Sequence, residues 1–148
     1  MLRELSAASA EFLVVGAYAL ASHGFPRATG DLNLWVRPEP VNAKRVFQAL
    51  IRFGAPTHGL NEADLSRPRV VYQLGLAPSR IDILTSIDGI EFEEAWNASR
   101  ALVIEGISVK VLSREHLIRN KRATGRPKAF ADVAWLESQS SDTSPSKS

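Results

Sequence analysis

The sequence predicts an α+β fold, a small mixed sheet flanked by helices, and three observations carry that expectation. Short β-rich runs at 11–15, 31–36, 70–76 and 80–86 are interleaved with stretches of helical spacing. Two pairs of runs are joined by turn-forming residues, Ala77-Pro78-Ser79 and Glu105-Gly106, and read as antiparallel hairpins. The length of 148 residues, 45% hydrophobic and 23% charged, suits one core-bearing domain, 1–137, followed by a tail, 138–148.

Each element follows from its residues. Positions 2–10 are compatible with a helix. Glu11–Val15 is a buried strand that stops at Gly16, and Ala17–His23 is a helix closing at Gly24. Pro26 and Gly30 mark a loop. From Asp31 to Val36 the pattern alternates, with Asp31, Asn33 and Trp35 on one face. Val41–Phe53 is an amphipathic helix with Val46, Phe47, Leu50 and Ile51 at helical spacing and Gly54 after its end. Residues 55–68 are turn formers without a period, hence loop. Strands at 70–76 and 80–86 follow, the second placing Asp82 and Leu84 on one face. Phe92–Ser99 is a short helix, and 101–104 with 109–112 form the second hairpin. Ser113 caps a helix reaching Ala123. Arg126-Pro127 starts a last helix running to Glu137. Six serines and no large apolar residue make 138–148 a disordered tail.

Composition narrows the chemistry. With no cysteine, disulfides, thiolate zinc sites, iron–sulfur clusters and thiol nucleophiles are excluded. His23, His58 and His116 are too far apart in sequence to suggest a histidine metal site, so any metal is a hard cation with oxygen ligands. The apolar run Phe12–Ala21 superficially resembles a signal peptide, but Glu4 and Glu11 offset Arg3 and the run is too short to span a bilayer. The expectation is a cytoplasmic protein with no membrane partner. The net charge is +2, unevenly spread: Lys110 to Lys128 carries seven basic residues against Glu115 alone, or +6, leaving −4 elsewhere. Such a block suits either a solvated helix face or phosphate contacts.

Asp31 and Asn33, at i and i+2, project from the same strand face about 7 Å apart. If the strand of Asp82 lies alongside, two or three oxygen ligands meet, with phosphate oxygens and water completing a magnesium shell; otherwise these are ordinary strand-end polar residues, one solvated and one capping a turn. Gly16-Ala17, between strand and helix, lets backbone approach a phosphate closely. Arg27 and Thr29 flank the acidic strand, and Lys121, Arg122, Arg126 and Lys128 are further cations for a triphosphate or RNA backbone. His23 reads as a helix-closing residue, and Trp35, Trp96 and Trp135 as core or cleft wall.

The stretches Val14-Val15-Gly16-Ala17-Tyr18-Ala19-Leu20-Ala21-Ser22-His23-Gly24 and Arg27-Ala28-Thr29-Gly30-Asp31-Leu32-Asn33-Leu34 resemble the nucleotidyltransferase superfamily. They are most similar to small bacterial AbiEii-type and minimal nucleotidyltransferase-like proteins. Arg80-Ile81-Asp82-Ile83-Leu84 and the segment from Leu117 through Lys128 to Asp132 continue the likeness, which spans 11–137. The resemblance implies a polymerase-beta-like fold with Asp31, Asn33 and Asp82 as catalytic and magnesium-binding positions. Gly16, Ala17, Arg27, Thr29, Lys121, Arg126 and Lys128 would bind the nucleotide. It further implies transfer of a nucleoside monophosphate from a triphosphate to an RNA (tRNA) or protein hydroxyl in a toxin–antitoxin or phage-defence setting, with a cognate toxin or antitoxin as partner. Two departures stand out. Asn33 replaces the pattern's second aspartate, and Ala17 replaces a glycine or serine. The alternative reading is a catalytically silent nucleotide- or RNA-binding module.

Overall fold

The computed structural model describes residues 1–24, 31–75, 80–125 and 133–138. In chain order these form α1 (Leu2–Ala7), β1 (Phe12–Val15), α2 (Gly16–Ser22), β2 (Leu32–Val36), α3 (Pro40–Phe53), a 3₁₀ turn (Asp64–Ser66), β3 (Val71–Leu74), β4 (Ile81–Leu84), α4 (Phe92–Asn97), β5 (Arg100–Ile104), β6 (Ile107–Val111) and α5 (Arg114–Thr124). A final helical segment, α6, covers 133–138. The expected loop at 25–30, the turn at 77–79, the helix start at 126–127 and the tail beyond Ser138 lie outside the described residues.

The strands make one six-stranded sheet in the order β3-β4-β2-β1-β6-β5. β1 runs antiparallel to β2 and parallel to β6, and β2 runs parallel to β4. Both expected hairpins are antiparallel pairs, β3–β4 and β5–β6. The β5–β6 turn uses left-handed backbone at Glu105 (φ 52°) and Gly106 (φ 79°), matching the right-handed twist of the strands it joins. All four residues of β1 are buried, so both faces of the sheet are covered there. The run that superficially resembles a signal peptide is thus the central strand followed by α2. Among the described residues, no helix is long and apolar enough to cross a membrane.

Two elements differ from expectation. On α3 the buried side is Asn42, Ala43, Val46, Ala49 and Leu50, while Ile51 is 55% exposed. Ile51 lies about 100° round the helix beyond Leu50 and leaves the stripe that faces the sheet. Within the region expected to be loop, the Asp64–Ser66 turn is closed by Asn61 and Asp64, whose side chains each accept from the other's backbone N–H at 3.0 and 2.9 Å. The burial of Leu65 anchors it.

A buried polar knot fastens the far end of β2. Arg37 is 7% exposed, and its guanidinium donates to Glu11 at 2.5 Å and to Glu93 at 2.8 Å, stacking 4.7 Å over Phe92. Burial alone would push the Arg37 pKa down. Its hydrogen bonds to Glu93 and Glu11 outweigh that and hold it above its ordinary value. Asn42 donates to the carbonyls of Glu11 and Arg37, each at 3.0 Å, and accepts from the Glu11 N–H at 2.7 Å. One side chain therefore ties the entry of β1, the exit of β2 and the first turn of α3. Asn42→Ala leaves three backbone groups without this partner and should cost about 2–3 kcal/mol. Urea unfolding with an unchanged m value measures it.

Candidate functional site

The sheet register assembles the site. Asn33 on β2 is the Cα partner of Val15 on β1 and of Asp82 on β4, and Asp82 pairs in turn with Gln73 on β3. Paired residues share a face, so Asn33 and Asp82 are direct neighbours on one side of the sheet. Gly16 follows Val15 and opens α2 with φ +70°, a left-handed conformation that favours glycine. A Cβ at Gly16 would lie 2.4 Å from Asn33 Nδ2, so the amide of Asn33 lies directly against the bare Cα. The expected juxtaposition of Gly16, Asn33 and Asp82 is thus present.

Asp31 immediately precedes β2. Its Oδ1 accepts from the backbone N–H of Arg80 at 3.1 Å, linking the starts of β2 and β4. Asp82 is 8% exposed, and a carboxylate that buried needs a counter-charge. Arg80 supplies it, donating from Nε to Oδ1 at 3.0 Å and from Nη2 to Oδ2 at 3.3 Å. Sequence reasoning passed over Arg80 as a site residue. The signal was available, because residues two apart on a strand project from the same face.

These oxygens suit a hard cation in kind. The Oδ1 of Asn33 is buried with no hydrogen-bond partner among the described residues, an acceptor that lacks a donor beside Asp82. Among the described residues, no three His, Cys, Asp or Glu side chains converge as a metal site, so a cation here would rest on two carboxylates and one amide oxygen. Asp82 would also have to exchange its Arg80 partner for the ion.

Of the remaining expected residues, Ala17, Lys121 and Arg122 are described. Ala17 sits in the first turn of α2, half-buried, and Lys121 lies half-buried on α5. Arg27, Thr29, Arg126 and Lys128 lie outside the described residues. The basic block is partly neutralised: Arg119 donates to both carboxylate oxygens of Glu94 at 2.9 Å, and Arg122 pairs with Glu137. His23 caps α2, though its ring partners are distant in sequence, the Leu112 carbonyl and Arg100. Trp35 is fully buried and meets Phe92 edge-on, and Trp96 stacks on Phe92.

No family model and no curated protein matches the chain. The structure is similar to that of a Thermotoga maritima protein provisionally named a nucleotidyltransferase, with a TM-score of 0.56 and 13% identity, over 95% of this chain and 88% of that one. The chain therefore has a nucleotidyltransferase-like α+β fold, a six-stranded mixed sheet flanked by helices. The likeness supports that fold at large.

Two outcomes follow from this geometry. Gly16→Ala should cost about 2–3 kcal/mol, part from left-handed backbone and part from contact with Asn33. In an Asn33→Ala background the cost should fall to about 1 kcal/mol, a coupling that a double-mutant cycle by denaturation measures. Arg80→Gln, which frees the Asp82 carboxylate, should tighten binding of manganese ion about tenfold in a paramagnetic titration. Adding Asp82→Asn should reverse that gain.

Proposed function

We propose that the protein transfers a nucleoside monophosphate from a nucleoside triphosphate to a hydroxyl group. The single observation that supports this most directly is the pairing of Asn33 with Asp82 on adjacent parallel strands, with Gly16 pressed against Asn33, at one end of a nucleotidyltransferase-like sheet. The acceptor, an RNA (tRNA) or a protein hydroxyl, and a toxin–antitoxin or phage-defence setting with a cognate partner rest on the motif resemblance.

In this reading Asp31, Asn33 and Asp82 would hold magnesium, which would neutralise charge on the triphosphate. Gly16, with no Cβ, leaves the strand–helix turn open to the phosphates. Asp82, released from Arg80, accepts the proton of the attacking hydroxyl. The hydroxyl oxygen bonds to the α-phosphorus as the bond to the bridging oxygen breaks and pyrophosphate leaves. Arg27, Thr29, Lys121, Arg126 and Lys128 supply cations and a hydroxyl to the nucleotide.

A second reading, a catalytically silent nucleotide- or RNA-binding module, is favoured by two observations. Asn33 brings no charge, and the Asp82 carboxylate is already engaged by Arg80. One assay separates the two: each labelled triphosphate, with magnesium and either total RNA or protein acceptors, on wild type, Asn33→Asp and Asp82→Ala. The transferase reading expects label transfer by wild type, loss in Asp82→Ala, and a gain of about 10- to 1000-fold in Asn33→Asp, each 1.4 kcal/mol of recovered charge stabilisation being worth tenfold. Absence of transfer by both wild type and Asn33→Asp leaves the binding module.

A further inference from the structure

A cavity of about 340 Å³ lies between the C-terminal end of α2 and the N-terminal end of α5 and is lined by His23, Ala98, Arg100, Ser113, Arg114 and Glu115. It is separate from the residues of the transfer reading. The same end of the sheet holds both. β1 and β6 are parallel, so Gly16 and Ser113 each follow the C-terminal end of a strand, while Arg100 begins β5 opposite Val111. Three strand spacings, roughly 14 Å, separate β5 from β2.

Three choices here are unfavourable for the fold by itself. Arg114 is the first residue of the 11-residue α5, where the helix dipole disfavours a cation, and no ion pair offsets it among the described residues. Arg100 directs its guanidinium towards the same cavity and meets a histidine nitrogen, not a carboxylate, with Nη1 3.1 Å from His23 Nδ1. His23 is held neutral. Its Nε2–H donates to the Leu112 carbonyl at 3.1 Å, which leaves Nδ1 to accept from Arg100. Burial foremost, and then the charges of Arg100 and Arg114, lower its affinity for a proton. Two arginines therefore line one cavity, and Glu115 is the sole acidic residue among the described residues lining it. The Ser113 side chain accepts from the His116 N–H at 3.1 Å, so the first N–H groups of α5 stay open to an acceptor.

We propose that this cavity is a binding site for a phosphate monoester, whose two negative charges match the guanidinium groups of Arg100 and Arg114. Arginine meets phosphate oxygens in a two-pronged geometry, and the open N–H groups of α5 add further donors. The neutral His23 positions Arg100 without competing for it as a carboxylate would. The volume also leaves room for the sugar that carries the phosphate.

Calorimetric titration of the full chain with inorganic phosphate is the first test, and saturable binding is expected. Arg114→Gln should weaken it about tenfold, the double variant Arg100→Gln/Arg114→Gln should remove it, and Arg52→Gln, on the exposed end of α3, should leave it unchanged. Arg114→Gln removes a cation from a helix N-terminus and should not lower the melting temperature, so lost binding cannot be put down to unfolding. A 5′-phosphorylated trinucleotide compared with its 5′-hydroxyl counterpart distinguishes a nucleic-acid end from a free small phosphate as the source. No saturable phosphate binding, or binding indifferent to both arginines or equalled by chloride at the same ionic strength, would overturn the proposal. None of these outcomes depends on nucleotidyl transfer, which the labelled-triphosphate assay reads separately.

Discussion

The placement of β2 between β1 and β4 is the constraint on which the candidate site depends. β2 pairs antiparallel with β1, putting Asn33 level with Val15 and hence beside Gly16. It pairs parallel with β4, putting the same residue level with Asp82. A slip of one residue on either side would send Asn33 to the opposite face and separate all three. Hydrogen bonds at both ends of β2 resist such a slip. At one end Asp31 accepts from the backbone of Arg80, and at the other Arg37 and Asn42 tie β2 to the entry of β1 and to α3.

Charge balance within that frame accounts for the state of the site. A buried carboxylate at Asp82 is tolerable because Arg80 projects from the same strand face and engages both of its oxygens. A third carboxylate at position 33 would add a charge beside the pair. The amide there adds none and instead packs on Gly16, leaving its oxygen without a donor among the described residues. Arg80 thus offsets the charge of Asp82, and a cation binding there must compete with a guanidinium. The cavity beside His23 shows the opposite balance. Arg100 and Arg114 both line it, with Glu115 the only acidic residue among the described lining residues.

The sequence by itself determined the order and kind of the elements. Alternation marked β2 and β4, the Glu105-Gly106 turn marked the last hairpin, and Ser113 marked the start of α5, because each of these signals is local and set by period, turn chemistry or a cap. It also put Asn33 and Trp35 on one face of β2, and the motif order pointed to the fold. Only the tertiary structure decided what these residues meet. Neither the parallel pairing of β2 with β4 nor the closeness of Gly16 to Asn33 is written in any spacing, since strand order depends on contacts between distant segments. The same holds for Arg37, which follows β2 and becomes a buried hub only when Glu11 and Glu93 arrive from two other elements. His23 likewise finds its partners 89 and 77 residues away. Local patterns fix a residue's face, whereas its partner, and with it its charge state and chemistry, is set by packing.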